Sequence, residues 1–165
     1  MNEMRQRFEA QALPHLNAAY NLARWLSRSP SDADDIVQEA MLRAFRAFDK
    51  FRGGDIKAWL LTIVHNCWRS SGAAERRHGH TELDEQLAAQ GSGPEEAALN
   101  DSRLRRLEAM LALLPEEFRD VLVLREMEEM SYRQIADVTG APIGTVMSRL
   151  SRARALMRER IGNEL

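Results

Sequence analysis

The amino-acid sequence predicts an all-α protein built as two small helical domains joined by a flexible linker. Three observations carry that prediction. Nearly every periodic segment of the 165 residues repeats its apolar positions at i, i+3 and i+4, and no segment alternates as a strand does. The character changes after Gly72, where residues 73–98 are rich in Ala, Glu, Gln, Gly and His and poor in large apolar side chains. Helical periodicity then resumes at Leu104. The expected division is a domain over 1–72, an acidic linker over 73–100 and a second domain over 101–165.

Taken in order, Pro14 suits the first turn of a helix, and Leu16, Ala19, Tyr20, Ala23 and Leu26 follow as one stripe. Pro30 is a break before an expected N-cap at Ser31, with Asp32, Asp34 and Asp35 in a first turn whose free N–H groups favour carboxylates. The helix from there keeps Ala33, Ile36, Val37, Ala40, Met41, Ala44, Phe45 and Phe48 on its core side. Phe51-Arg52-Gly53-Gly54-Asp55 is a loop, and the next helix buries Ile56, Trp59, Leu60, Ile63, Val64 and Cys67. Gly91-Ser92-Gly93-Pro94 is the clearest break in the linker. Beyond it, Leu104, Leu107, Leu111 and Leu114 form a stripe that stops at Pro115 and restarts through Phe118, Val121 and Leu122.

The most informative segment follows. Ser131-Tyr132-Arg133-Gln134 has the spacing of a capping box, with the serine at N-cap and Gln134 at N3. The short helix it opens carries Ile135 and Ala136 inward and meets Gly140, which can take a left-handed turn. Pro142 and Gly144 precede a second helix with Val146, Leu150, Ala153 and Met157 inward. Ala136 lets the two helices approach, Gly140 makes the turn and Val146 locks the second helix onto the first, as in a helix-turn-helix. The outward side offers Thr145, Ser148, Arg149 and Arg152, flanked by Arg154 and Arg158. Arginine can bind guanine edges bidentately in a major groove, while hydroxyls and further arginines can hold phosphates.

Charge agrees with that motif only after it is divided along the chain. The net charge of −2 hides a segment at 73–101 with two basic and seven acidic residues, and a stretch at 143–160 with five Arg against one Glu. A single cysteine, Cys67, rules out an intrachain disulfide and a multi-cysteine zinc site, and its place on the apolar stripe makes it a small core residue. His78-Gly79-His80 belongs to the linker composition, and no metal is expected there. Trp25 and Trp59 are expected in the core, and Trp68, off the main stripe, at a domain edge. No apolar run approaches the ~20 residues needed to cross a bilayer. The N-terminus lacks a basic-then-apolar export pattern, so a cytoplasmic protein without membrane insertion is expected. No paired carboxylates, Ser/His/Asp set or glycine-rich phosphate loop stands in a suitable context, so neither catalysis nor a cofactor is expected. A conventional helix-turn-helix repressor or activator, or an adaptor with a basic helix, explains the C-terminal half equally well; the N-terminal half discriminates.

Leu114-Pro115-Glu116-Glu117-Phe118-Arg119, Met130-Ser131-Tyr132-Arg133-Gln134-Ile135-Ala136 and the run from Gly144 to Arg154 resemble region 4 of the extracytoplasmic-function sigma factors of bacterial RNA polymerase. The runs Asp32 to Ala40, Phe51 to Gly54 and Trp59 to Asn66 resemble their region 2. The resemblance covers most of 8–70 and 102–161 and implies a promoter-reading subunit that is not itself an enzyme. It implies that Asp35, Gln38, Glu39, Leu42 and Arg46, with Arg43 among them, grip core RNA polymerase. It implies that Phe51, Arg52, Asp55, Lys57, Thr62, Asn66 and Arg69 receive the single strand of the minus-10 element, Asn66 at the base-reading position. Thr145, Ser148, Arg149, Arg152 and Arg154 fall to the minus-35 duplex, and an anti-sigma factor covering both domains is the implied inhibitor. His65 departs from the more usual Arg and Met147 from a frequent Lys, each a point where a phosphate contact is lost.

Overall fold

The computed structural model describes residues 2–27, 29–72 and 95–164, with side chains from 102 to 162 in the C-terminal part. Most of the expected linker, with His78 and His80, lies outside the described residues. The N-terminal domain comprises α1 (Asn2–Ala12), α2 (Leu16–Ser27), α3 (Pro30–Ala47) and α4 (Ile56–Ser70). The C-terminal domain comprises α5 (Glu95–Ala112), α6 (Glu116–Leu122), α7 (Tyr132–Thr139) and α8 (Ile143–Glu164). No strand occurs among the described residues.

Helix α1 is absent from the sequence reading because it buries only Phe8 and Ala12. Pro14 stands not in a first α-helical turn but in a 3-10 turn, Leu13–His15, that links α1 to α2. The expected N-cap at Ser31 is corrected to Ser29, whose side chain accepts from the Asp32 N–H, with Pro30 inside the first turn of α3. Proline is at home there, because its fixed φ suits the helix and its missing N–H has no intrahelical partner to lose. The α3 stripe is as expected: Ala33, Ile36, Val37, Ala40, Ala44 and Phe48 are buried, with Met41 and Phe45 partly so. Phe8 meets Phe45 and Phe48 edge-on, each at 5.4 Å between centroids, and Phe51 stacks on Phe48 and tilts against Trp59 at 5.0 Å. Such pairs add about 0.5–1.5 kcal/mol each beyond area burial. Their effect here is to pin the loop after α3 onto the domain.

In the C-terminal domain the capping box closes in both directions. Gln134 N–H donates to Ser131 Oγ at 3.1 Å, and Ser131 N–H donates to Gln134 Oε1 at 2.9 Å. Gly140 adopts φ +76 and ends α7 with its N–H on the Ala136 carbonyl. Val146, Leu150 and Ala153 of α8 are buried against this pair of elements, and Val138, outside the expected stripe, is buried with Ile135. A Cβ on Gly140 meets nothing within 4 Å, so the demand for glycine comes from the backbone alone. Gly140→Ala is therefore expected to cost about 1–2 kcal/mol, the strain of a left-handed L-residue, with no packing defect. A lowered urea midpoint with an unchanged slope is the check.

The two helical domains joined by the linker also touch each other: α4 packs against α7 as well as against α2 and α3. Its residues Leu60, Val64 and Cys67 face the N-terminal core as expected. Leu61, His65 and Trp68, one position further round, are equally buried. Helix α5 also begins at Glu95, inside the span expected as linker.

Candidate nucleic-acid and polymerase interfaces

Helix α3 separates its two faces cleanly. Asp35, Gln38, Glu39, Leu42, Arg43 and Arg46 are all exposed, and Leu42 is 51% exposed among polar neighbours. Arg43 donates to Glu39 at 3.0 Å, one turn apart, which raises the Arg43 pKa through that hydrogen bond. Beside this face runs an apolar groove of about 770 Å³ lined by Phe8, Tyr20, Val37, Met41 and Phe45, with Gln38 and Leu42 on its rim. A small apolar anchor in a polar rim next to an apolar trough is the composition of a protein interface. Cys67 is buried behind α3, and burial pushes its thiol pKa up, as befits a packed residue.

The residues expected to receive a single strand separate into two groups. Thr62, Asn66 and Arg69 follow one another at i, i+4 and i+7 of α4, with Asn66 and Arg69 exposed and the Thr62 hydroxyl turned back to the Ala58 carbonyl at 2.8 Å. Arg52 is exposed beside two glycines in left-handed conformation, Gly53 and Gly54, whereas Phe51 is half-buried in the aromatic cluster. Asp55 and Lys57 are already engaged. Asp55 caps α4 by accepting from the Ala58 N–H, and its other oxygen accepts from Gln134 Nε2 at 2.6 Å across the domain junction. Lys57 Nζ donates to the Glu128 carbonyl at 3.2 Å and lies 3.4 Å from the Glu128 carboxylate. Burial raises the Glu128 pKa more than Lys57 lowers it.

His65 explains its departure from arginine. It is 1% exposed, and its Nε2 donates to Asp120 Oδ2 of α6 at 2.5 Å. A guanidinium aimed at a phosphate has no place at that position. Asp120, Glu128 and Gln134 carry no sequence motif for this role, because their partners lie 55, 71 and 79 positions away.

On α8, Thr145, Ser148, Arg149 and Arg152 share one side, with Ser148 Oγ donating to the Thr145 carbonyl and Arg149 3.6 Å from Glu117. Arg154 stands apart from them. It donates twice to Glu126 Oε1, which with Tyr132 raises its pKa, and it lines a separate groove beside Met157 and Ile161. Trp68 and Arg69 face Arg149, Thr139 and Asp120 across a polar cleft of about 380 Å³ between the domains.

A basic helix-turn-helix folded against a helical bundle defines a DNA-binding protein of transcription. Residues 13–78 match the family described as Sigma-70 region 2, and residues 104–157 that described as Sigma-70, region 4. The ECF RNA polymerase sigma-E factor of Escherichia coli is 35% identical over 134 residues, 74% of this chain and 70% of that protein. The ECF RNA polymerase sigma factor EcfG of Rhodopseudomonas palustris is 34% identical over 145 residues, 87% of this chain and 77% of that one. SigE of Mycolicibacterium smegmatis is 34% identical over 152 residues, and the chain spans 58% of its length. Among solved structures, the sigma factor RpoE of Bartonella quintana, in complex with the anti-sigma factor NepR, has a TM-score of 0.69 at 26% identity, covering 98% of both chains. CnrH, in complex with the cytosolic domain of CnrY, has a TM-score of 0.71 at 25% identity over 98% of this chain and 91% of that one. The chain belongs to the extracytoplasmic-function sigma factors of RNA polymerase. No described helix is long and apolar enough to cross a membrane.

Proposed function

We propose that this chain binds core RNA polymerase and directs it to a specific set of promoters tied to a stress response, acting in the cytoplasm and contributing no catalysis of its own. In this reading region 2 occupies 1–72, region 4 occupies 101–165, and α3 grips polymerase through Asp35, Gln38, Glu39, Leu42 and Arg46. The loop at Phe51 and Arg52, with Asp55, Lys57, Thr62, Asn66 and Arg69, receives the minus-10 strand. Thr145, Ser148, Arg149, Arg152 and Arg154 serve the minus-35 duplex, Arg154 through phosphate at most because Glu126 already holds it. The observation that carries the reading is that the outer face of α3 is exposed while α8 presents a separate polar face, so polymerase and DNA need not compete. An inhibitor of the anti-sigma class is the expected further partner, supported by the solved sigma factor RpoE of Bartonella quintana, which was co-crystallised with the anti-sigma factor NepR.

The test is transcription in vitro with core polymerase on a promoter library. A conventional repressor binds duplex operators without polymerase, and an adaptor shows no sequence preference; either outcome refutes the proposal. Within it, Asn66→Ala is expected to weaken initiation and relax preference at one minus-10 base, with little effect on polymerase binding. A side-chain amide can read the edge of an extruded base, and a methyl cannot. Equal loss on every minus-10 variant makes Asn66 a backbone contact or a structural residue.

A further inference from the structure

We propose that Met147 is a specificity-determining residue of this chain, reading a thymine of the minus-35 duplex through the methyl group of its base. The inference rests on the assignment of α8 to that duplex, and it names a further contact within it. The exposed ridge of α8 runs through Gly144, Met147, Ser148, Ser151 and Arg152, opposite the buried Val146, Leu150 and Ala153. Its neighbours to Met147 are short. Gly144 has no side chain, and the Ser148 hydroxyl is turned back onto the Thr145 carbonyl at 3.0 Å. Met147 therefore stands above the ridge, 51% exposed, and Ile143 one turn earlier extends the apolar surface at 43%.

An exposed methionine is commonplace on a protein surface, and it is the setting that gives this one a partner. The second helix of a helix-turn-helix enters the major groove with its N-terminal residues at the base edges, and Met147 lies in the second turn of α8, which begins at Ile143. Every base pair offers hydrogen-bonding groups there, but the C5-methyl of thymine is the only apolar feature. A long, unbranched thioether adapts its shape to such a methyl. A protein partner suits the surroundings less well. Five Arg stand against one Glu over 143–160, Arg149 and Arg152 among them, which matches a polyanion. Nor does Met147 line the apolar groove beside Met157 and Ile161. A lysine at this position would attract the phosphates of any sequence alike. The thioether gains only where a methyl is present, so the lost phosphate contact becomes a sequence preference. Arg149 is two residues away and does not face the same way, so the two side chains read different base pairs.

The experiment uses the full chain assembled with core polymerase, on a promoter taken from the library selection. Each thymine of the minus-35 element, on either strand, is replaced in turn by deoxyuridine, which removes the methyl and keeps the hydrogen-bonding edge. Competition binding is read at two salt concentrations. Wild-type holoenzyme is expected to lose about fourfold in affinity at the thymine beneath Met147, the worth of one buried methyl. That base pair should differ from the one that Arg149→Ala flattens. Met147→Ala should bind the thymine promoter at least about fourfold more weakly and be indifferent to the replacement. Met147→Lys guards against a general binding defect. It should bind all sequences more tightly, steepen the salt slope by about one unit and lose the methyl effect. A wild type indifferent to every replacement overturns the proposal. So does a Met147→Ala holoenzyme that keeps the full methyl effect, the result expected if Met147 meets a protein instead. Failure of the proposed function looks different, since the library then yields no preferred promoter at all.

Discussion

Gln38→Lys combined with Leu42→Glu is expected to abolish assembly with core RNA polymerase while leaving helicity and melting temperature nearly unchanged. Both side chains are exposed on α3, opposite the Ile36, Val37 and Ala40 stripe. Exposed substitutions away from caps and cores stay within about 0.5 kcal/mol. At an interface their weight is different. Leu42 rims the groove formed by Phe8, Tyr20, Met41 and Phe45, so a partner side chain entering that groove desolvates it fully. Losing a central anchor of that kind costs about 2–4 kcal/mol, and a charge in its place adds an uncompensated desolvation. The affinity loss is therefore at least about a hundredfold. Gel filtration of the mixed proteins, beside a thermal melt of the variant alone, decides it. Holoenzyme formation at wild-type affinity reassigns the face.

Arg149→Ala is expected to cost about 1–3 kcal/mol at the promoter and to flatten discrimination at one minus-35 position. Arg149 lies three residues past the buried Val146, with Thr145 and Arg152 on the same side at i−4 and i+3. Its pairing with Glu117 is long at 3.6 Å and on a half-exposed surface, so it gives way easily to a guanine edge. Arg158→Ala supplies the contrast. Arg158 is exposed further along α8, so its loss should weaken all sequences alike and lower the salt slope by about one unit. Competition binding of assembled holoenzyme against single-base variants at two salt concentrations separates the two effects. Uniform loss in both variants means that α8 binds by backbone and shape.

Local signals in the sequence were sufficient wherever structure is local. Ser131, Gln134 and Gly140 announce their roles because a capping box and a left-handed stop are built within ten residues of chain. The α3 stripe and its outward face are legible for the same reason. Ser29 was missed in favour of Ser31 because two serines flank Pro30 and only the first-turn preference of proline separates them. What the single-stripe reading of α4 lost is its second buried side. The apolar or large residues come as adjacent pairs at 60/61, 64/65 and 67/68, an arc too broad for one neighbour. Such pairs signal a helix packed on two sides. The identity of the second neighbour was not legible, since polar partners more than fifty positions apart leave no periodicity.

Gln134 carries a consequence for which substitutions this family member tolerates. At the third position of a helix, Glu and Gln are interchangeable caps, because either offers an oxygen to the serine N–H. In this chain the oxygen is committed to Ser131, which fixes the amide nitrogen toward Asp55. A glutamate there satisfies the helix equally and yet sets carboxylate against carboxylate at the junction. The choice of amide over acid is thus invisible to the stability of region 4 taken alone and decisive for how it meets region 2. Two sequences with equally good helix-turn-helix motifs can differ in this one atom and, through it, in how readily the molecule comes apart.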